Sequence, residues 1–298
     1  MADLTSDEIG RFERDGFVVL PAPLPPPELT RLQQAVARFE ARTPPNRTSS
    51  FYNYADVLGL DDDFAALVDH DAILPGMVQL LGFNLYVNHS HINVDLPKPD
   101  DTAFTWHRDG AMVHWDVRGP LPMLGLKAGV ALSPLDGDDL GNTYIVAGSH
   151  RRPEQKLPAH GANTAGGVPI TGPAGTIFFF DPRAIHCRSP NRSPSARRMI
   201  FLQYAFRWLR PLDALSVDAL AQRTSDPVRR QLLGLTMGET KARRAGSWYP
   251  SDDDVPLRAW AQKRWGDVVE DEVGRLVALP PGWSKRPLPD RPSQYTSS

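Results

Sequence analysis

FTWHRDG, residues 104–110, places a histidine and an aspartate two positions apart inside an apolar, aromatic run. On an extended strand successive side chains leave opposite faces, so His107 and Asp109 share a face and can grip one ion while Arg108 points away. Alone, H-x-D arises often by chance and equally describes a histidine–aspartate hydrogen bond at a strand end. A second stretch raises it. GTIFFFDPRAIHCRSPN, residues 175–191, reads as a hydrophobic strand that ends in a turn and presents His186. Two imidazoles and one carboxylate make a set.

Outward from these stretches the chain reads as sheet. From residue 84 short apolar or alternating runs are separated by Gly, Pro and Asp clusters: NLYVNHSHINVDL, AFTWHRDG, LGLKAGVALSPL, NTYIVAGSH, GTIFFFD and MIFLQYAFRWL. Their spacing suits strands of a sandwich or closed sheet. No helical crossover is long enough for a parallel sheet, so antiparallel pairing is expected, and a double-sheet jelly roll fits. The fold class is therefore mainly β with flanking helices. Before it, TSDEIGRFERDGF reads as a helix capped by Thr5 or Ser6, FVVLP as a short strand, and ELTRLQQAVARFEARTPP as a helix with Leu29, Leu32, Val36 and Phe39 on one side. Residues 43–56 look too irregular for a regular element and suit a cover over a pocket. FAALVDH and ILPGMVQLLG suggest two further short helices. After Trp208 the sequence turns helical and charged, through DALSVDALAQRT, DPVRRQLLGLTM and VPLRAWAQKRWGDVVEDEVGRLV, and it ends in a Pro-rich, polar tail. One domain is expected over 1–298: N-terminal helices over 1–83, a catalytic core over 84–210, and C-terminal helices with a loose tail over 211–298.

The 298 residues are 41% hydrophobic, enough for a full core. The 33 basic and 35 acidic residues are dispersed, with a net charge of −2, and form no basic block of the kind that marks a nucleic-acid or anionic-membrane partner. A small molecule is the expected partner, and the sequence leaves the oligomeric state open. No eighteen-residue apolar run and no secretory signal is present, and a single cysteine, Cys187, makes no internal disulfide. Those features lead to a cytoplasmic expectation. Twenty-nine prolines argue for many turns.

One cysteine is too few for an ordinary closed zinc site. Two histidines and a carboxylate leave coordination positions open, the arrangement of mononuclear non-haem Fe(II), whose vacant positions accept a co-substrate and dioxygen. Arg197, eleven residues beyond His186 at the entry to a hydrophobic strand, offers a planar fork suited to the far carboxylate of 2-oxoglutarate. Its neighbour Arg198 would be turned away by the strand alternation. Cys187, next to His186, reads as buried packing on the opposite side.

The order of WHRDG, GNTYIVAGSH and GTIFFFDPRAIHCRSPN, with Arg197 following, resembles the phytanoyl-CoA dioxygenase family of Fe(II)/2-oxoglutarate-dependent oxygenases over roughly residues 10–245. The resemblance implies a double-stranded β-helix with iron on His107, Asp109 and His186, the distal co-substrate carboxylate on Arg197, and a co-substrate-contacting polar pair at His89 and Asn93. Arg188 stands where the family often has a small hydroxyl that helps hold the co-substrate, so Arg188 becomes a candidate for that task. Asp109 is present where related halogenases have Ala or Gly, which favours oxygen transfer. Trp115, Val113 and Met112, just after H-x-D, and Arg108 within it, are the candidate substrate-side residues. The implied activity is hydroxylation of a small molecule, using Fe(II), 2-oxoglutarate and O2. The same chemistry can also desaturate, close rings or rearrange, and a non-catalytic metal-binding jelly roll is the rival from another class.

Overall fold

The apolar runs form two antiparallel sheets in the computed structural model, which describes residues 3–43, 49–101, 104–109, 122–159, 161, 166–213, 218–235, 255–266, 268–270 and 276–278. The strands of the larger sheet are β1 (Phe17–Val19), β2 (Phe51–Ala55), β3 (Leu85–Asp95), β4 (Gly125–Ala131), β7 (Ile177–Phe180) and β9 (Arg197–Phe206). Their spatial order is β1-β7-β4-β9-β3-β2. The smaller sheet sets β5 (Thr143–Val146) between β6 (Gly167–Pro169) and β8 (His186–Arg188). This is the two-sheet jelly roll, flanked by helices, that the alternation suggests, and it is not closed into a barrel.

The two faces of the larger sheet are covered differently. Leu126, Ala128 and Val130 of β4 and Ile200, Leu202 and Tyr204 of β9 share one hydrophobic cluster with Leu32, Ala35 and Val36 of helix α2 (Pro26–Arg42). Met77, Val78 and Leu81 of a second helix, Leu74–Leu81, and Leu220, Leu232 and Leu257 beyond the sheet join the same cluster. Both flanking segments therefore bury their apolar stripes on one sheet face. The opposite face, with Phe178, Phe180, Met199, Phe201 and Ala131, packs with Ile145 of the smaller sheet as the inner core. Gly129 keeps that interior passable: a Cβ there would lie 2.4 Å from the Phe178 ring.

Helix α1 (Ser6–Asp15) starts with a full capping box, Thr5 accepting from the Glu8 amide and Glu8 accepting from the Thr5 amide, so Thr5 rather than Ser6 is the cap. It stops at Gly16, whose left-handed φ of 84° suits a residue without a Cβ. Among the described residues no helix is long and apolar enough to cross a membrane.

Three expectations are corrected. Residues 51–55, within the stretch expected to be irregular, form edge strand β2 along β3. Tyr54 packs edge-on against Phe39 of α2, and Asn53 accepts from Asn93 across the pair. The described part of FTWHRDG, residues 104–109, is not a strand: it joins the sheet through the isolated bridge His107 to His186. Within the C-terminal run expected to be helical, the helix among the described residues is Pro256–Trp265, and Val268–Glu270 and Leu276–Ala278 pair antiparallel. β-Branched Val268, Val269 and Val277 favour extended backbone there.

Candidate active site

Two backbone hydrogen bonds, His107 N–H to His186 O and His186 N–H to His107 O, both 2.9 Å, clamp the distant stretches together. A third, Asp109 N–H to Pro182 O at 2.9 Å, fixes the carboxylate beside them. The convergence expected of a strand is thus produced by a bridge and a turn. His107 Nε2 stands 3.6 Å from Asp109 Oδ1, and His186 Nε2 stands 3.4 Å from Asp109 Oδ2. The ligand atoms all lie within 4.8 Å of one another.

Proton placement shows what this cluster is built for. Each ring points Nδ1 at a carbonyl oxygen, His107 at Thr105 O and His186 at Ala184 O, both at 2.9 Å. A carbonyl only accepts, so each Nδ1 carries a proton, and in the neutral tautomer the Nε2 lone pair is turned toward the space shared with the carboxylate. Burial first, then the neighbouring His186, push the His107 imidazole down to about 4, so it stays neutral. Burial would raise the Asp109 carboxyl, but Lys127 and His186 outweigh it and hold it well below the usual range. Three acceptors facing one another call for a cation. Two donors ~2.1 Å from one ion and at right angles lie about 3 Å apart, close to the separations seen here. The residues fit a divalent metal.

Side chains on the inner sheet face form rows across the strands. His89, Gln203, Lys127, Phe180 and Phe17 make one, and His91, Phe201, Gly129, Phe178 and Val19 the next. Farther along, Asp95 lies opposite Arg197. Arg197 is 2% exposed; burial draws its guanidinium down to about 10, with Asp95 opposing. Its Nη2 donates to Thr143 Oγ1 at 3.4 Å, while Nε and Nη1 are buried without partners. An unmet buried donor costs about 1–3 kcal/mol, so this fork fits a ligand carboxylate. On β5, Thr143 is two residues from Ile145, which pairs with His186. The fork therefore lies about 7 Å along the sheet from the histidine, a span suited to a five-carbon diacid.

The other sequence candidates are distributed differently. Arg188 Nη1 donates to both oxygens of Asp95, and its guanidinium lies over the Phe51 ring, 4.6 Å from the centroid. Asn93 donates to Asn53, and His89 binds Asp213 through Nδ1. Arg198 turns outward to Glu40, as alternation predicts. Cys187 is buried among Phe104, Trp106 and Tyr144, away from the ligands. The substrate-side reading of Arg108 is corrected: its guanidinium donates to the carbonyls of Ser149, Arg152 and Arg183, staples for the hairpin and the distal turn. Met112, Val113 and Trp115 lie outside the described residues.

The sequence reading missed Lys127, whose Nζ is 2.6 Å from Asp109 Oδ2. The available signal was a lone lysine amid small and apolar residues in a strand buried along its whole length. Asp95 was missed likewise, because its partner is 93 positions away.

With this geometry in place, a family model described as phytanoyl-CoA dioxygenase (PhyH) matches residues 12–199. The chain belongs to that family. It is an Fe(II)/2-oxoglutarate-dependent oxygenase, with iron as its metal and 2-oxoglutarate and O2 as co-substrates. Among relatives of the phytanoyl-CoA dioxygenase-family chain, an ectoine dioxygenase of Stutzerimonas stutzeri (strain A1501) is 28% identical over 240 residues, covering 68% of this chain and 77% of the relative. An L-proline trans-4-hydroxylase of Streptomyces griseoviridis is 24% identical over 249 residues, covering 73% and 92%. HygX from Streptomyces hygroscopicus, solved with nickel and 2-oxoglutarate bound, superposes with a TM-score of 0.59 at 17% identity, covering 71% of this chain and 91% of HygX. That last likeness is one of fold.

Proposed function

We propose that this oxygenase hydroxylates an unactivated C–H bond of a small molecule, a specialised metabolite, with release of succinate and CO2. His107, Asp109 and His186 hold the iron, and Arg197 takes the distal carboxylate of 2-oxoglutarate. The observation that carries the reading is the pairing of two features on one inner surface. A three-ligand cluster has both Nε2 lone pairs turned inward, and about 7 Å along the sheet a buried guanidinium has two donors unmet.

Iron, 2-oxoglutarate and O2 supply the oxidising power when bound; the chain supplies placement. The Thr105 and Ala184 carbonyls fix the two imidazoles in the metal-ready tautomer. Arg197, with Thr143, holds one end of the diacid so that its keto-acid end faces the histidines. Phe178, Phe180 and Phe201, packed ring against ring, keep water from the chamber wall. A hydrolytic metal site would leave the Arg197 fork with nothing to hold. The dispersed charge favours a free small molecule over a nucleotide thioester, and a lone buried thiol suits a reducing cytoplasm.

The test is anaerobic titration of the Fe(II)-loaded protein with 2-oxoglutarate, followed by exposure to air with candidate small molecules. A weak visible charge-transfer band, then substrate-dependent succinate and a product heavier by one oxygen atom, is the expected result. A product lighter by two hydrogens would replace hydroxylation by desaturation, and failure of the band to form would remove the oxygenase reading.

A further inference from the structure

The charge at the metal end of the chamber does not balance once the site is filled. Lys127 lies on β4 between Phe180 and Gln203 in the row facing the ligands, is 7% exposed, and has its Nζ 5.9 Å from the Phe180 ring centroid. Among the described residues its ion pair is with Asp109. The other acidic group bordering this row, Asp213, is committed to His89 and to the amide and hydroxyl of Ser90. Without metal, Lys127 and Asp109 neutralise each other. A divalent ion on His107, Asp109 and His186 takes over the aspartate and leaves a buried ammonium beside a buried cation, an arrangement that low dielectric penalises unless an anion joins it.

The Arg197 end shows how much of this the co-substrate can neutralise. Arg188, Arg197 and Asp95 together carry one net positive charge, matched by one carboxylate of 2-oxoglutarate. Its other carboxylate reaches the metal end and cancels one of the two excess charges there. One remains, on the ammonium of Lys127. A monoanion completes the balance, whereas a phosphate dianion would overshoot it.

On this basis we propose that Lys127 is a carboxylate-binding group of the active site, and that the substrate is a carboxylic acid whose carboxylate pairs with its Nζ. The proposal rests on the oxygenase reading above and deepens it. The alternative source of the same chemistry is the metal-end carboxylate of 2-oxoglutarate itself.

The experiment uses the full chain loaded with Fe(II) and held under anaerobic conditions. In the first arm 2-oxoglutarate alone is titrated into wild type, K127M and K127R, and the charge-transfer band gives the dissociation constants. In the second, saturated complexes are titrated with acetate and benzoate, each beside its uncharged amide, and the shift of the band is read. Wild type is expected to favour an acid over its amide by about tenfold or more, the usual worth of a charge-assisted contact. K127M should lose that preference, K127R should keep part of it, and 2-oxoglutarate affinity should move little. A tenfold loss confined to 2-oxoglutarate would keep Lys127 as a carboxylate site and assign the occupant to the co-substrate. No carboxylate preference in either arm, or one that survives in K127M, overturns the assignment. A wild type without any band overturns the oxygenase reading and this one with it, whereas a band without preference overturns this one alone. Should K127M fail to fold by circular dichroism, K127Q takes its place.

Discussion

Arg188 and Asp95 meet through a single guanidinium nitrogen: Nη1 of Arg188 donates to both carboxylate oxygens, at 3.0 and 2.8 Å. Asp95 is 1% exposed and lies opposite Arg197 in the strand register, so one buried carboxylate faces two arginines. Burial raises its carboxyl above the ordinary value even though both guanidinium groups pull it down. Arg188 keeps Asp95 occupied and thereby leaves the Arg197 fork open. R188M is therefore expected to weaken 2-oxoglutarate binding by about tenfold, because Arg197 is drawn to the carboxylate it now faces alone. Titration of the visible band would show it, and unchanged affinity would contradict the division of labour. D95A leaves the buried Arg197 and the partly buried Arg188 without their anion and should cost about 3–5 kcal/mol in urea unfolding.

Each metal ligand should be individually required. H107A, D109A and H186A remove one of three donors from a set with no described substitute, and metal retention on equilibrium dialysis should fall by more than the ~10–100-fold typical of outer-sphere changes. Succinate release should disappear with it. Full activity in any of the three variants would exclude the metal assignment.

The metal-free protein should lose stability on acidification. His91 and His107 both have folded-state values below the ordinary 6.5, mainly through burial, so the unfolded chain takes up protons first. Where the unfolded state binds more protons, stability rises with pH. The unfolding free energy should be fully retained above about 6.5 and fall as pH drops from there toward 4, the His107 value. H91Q should flatten part of that slope in urea unfolding measured without metal. A slope unchanged by H91Q would show that its ring does not contribute.

Arg108 offers a test that separates fold from chemistry. Its guanidinium serves the carbonyls of Ser149, Arg152 and Arg183, so R108M should cost about 1–3 kcal/mol of stability. The 2-oxoglutarate affinity of the folded fraction should stay within a few-fold of wild type. A large loss of affinity with stability intact would return Arg108 to the ligand-binding surface.

What could be read from the residues alone was local. Alternation along 85–95 and 197–206 is visible within a few residues, as is the Thr5 and Glu8 box at the start of α1. The metal-ligating candidates stood out because His and Asp at H-x-D spacing are chemically conspicuous. Features that depend on a distant partner were hidden. β2 is recognisable only once β3 lies beside it, and His107 meets Asp109 through a bridge to residue 186 rather than through strand periodicity. Lys127 stayed hidden because nothing nearby in sequence reveals Phe180 on one side and Gln203 on the other. Val268–Glu270 and Leu276–Ala278 sit in a stretch rich in helix-forming charged residues, where the β-branched positions prevailed.

The register Phe17↔Phe180 joins the beginning of the polypeptide to a strand made 163 positions later, and β3 has its long inner partner only when β9 exists. During translation the early strands must wait, sticky and unpaired, for most of the polypeptide to emerge from the ribosome. Shortening the N-terminus through Val19 would also strip β7 of its outer neighbour and leave an all-apolar IFFF edge open to other molecules, a recipe for aggregates rather than for a smaller working enzyme.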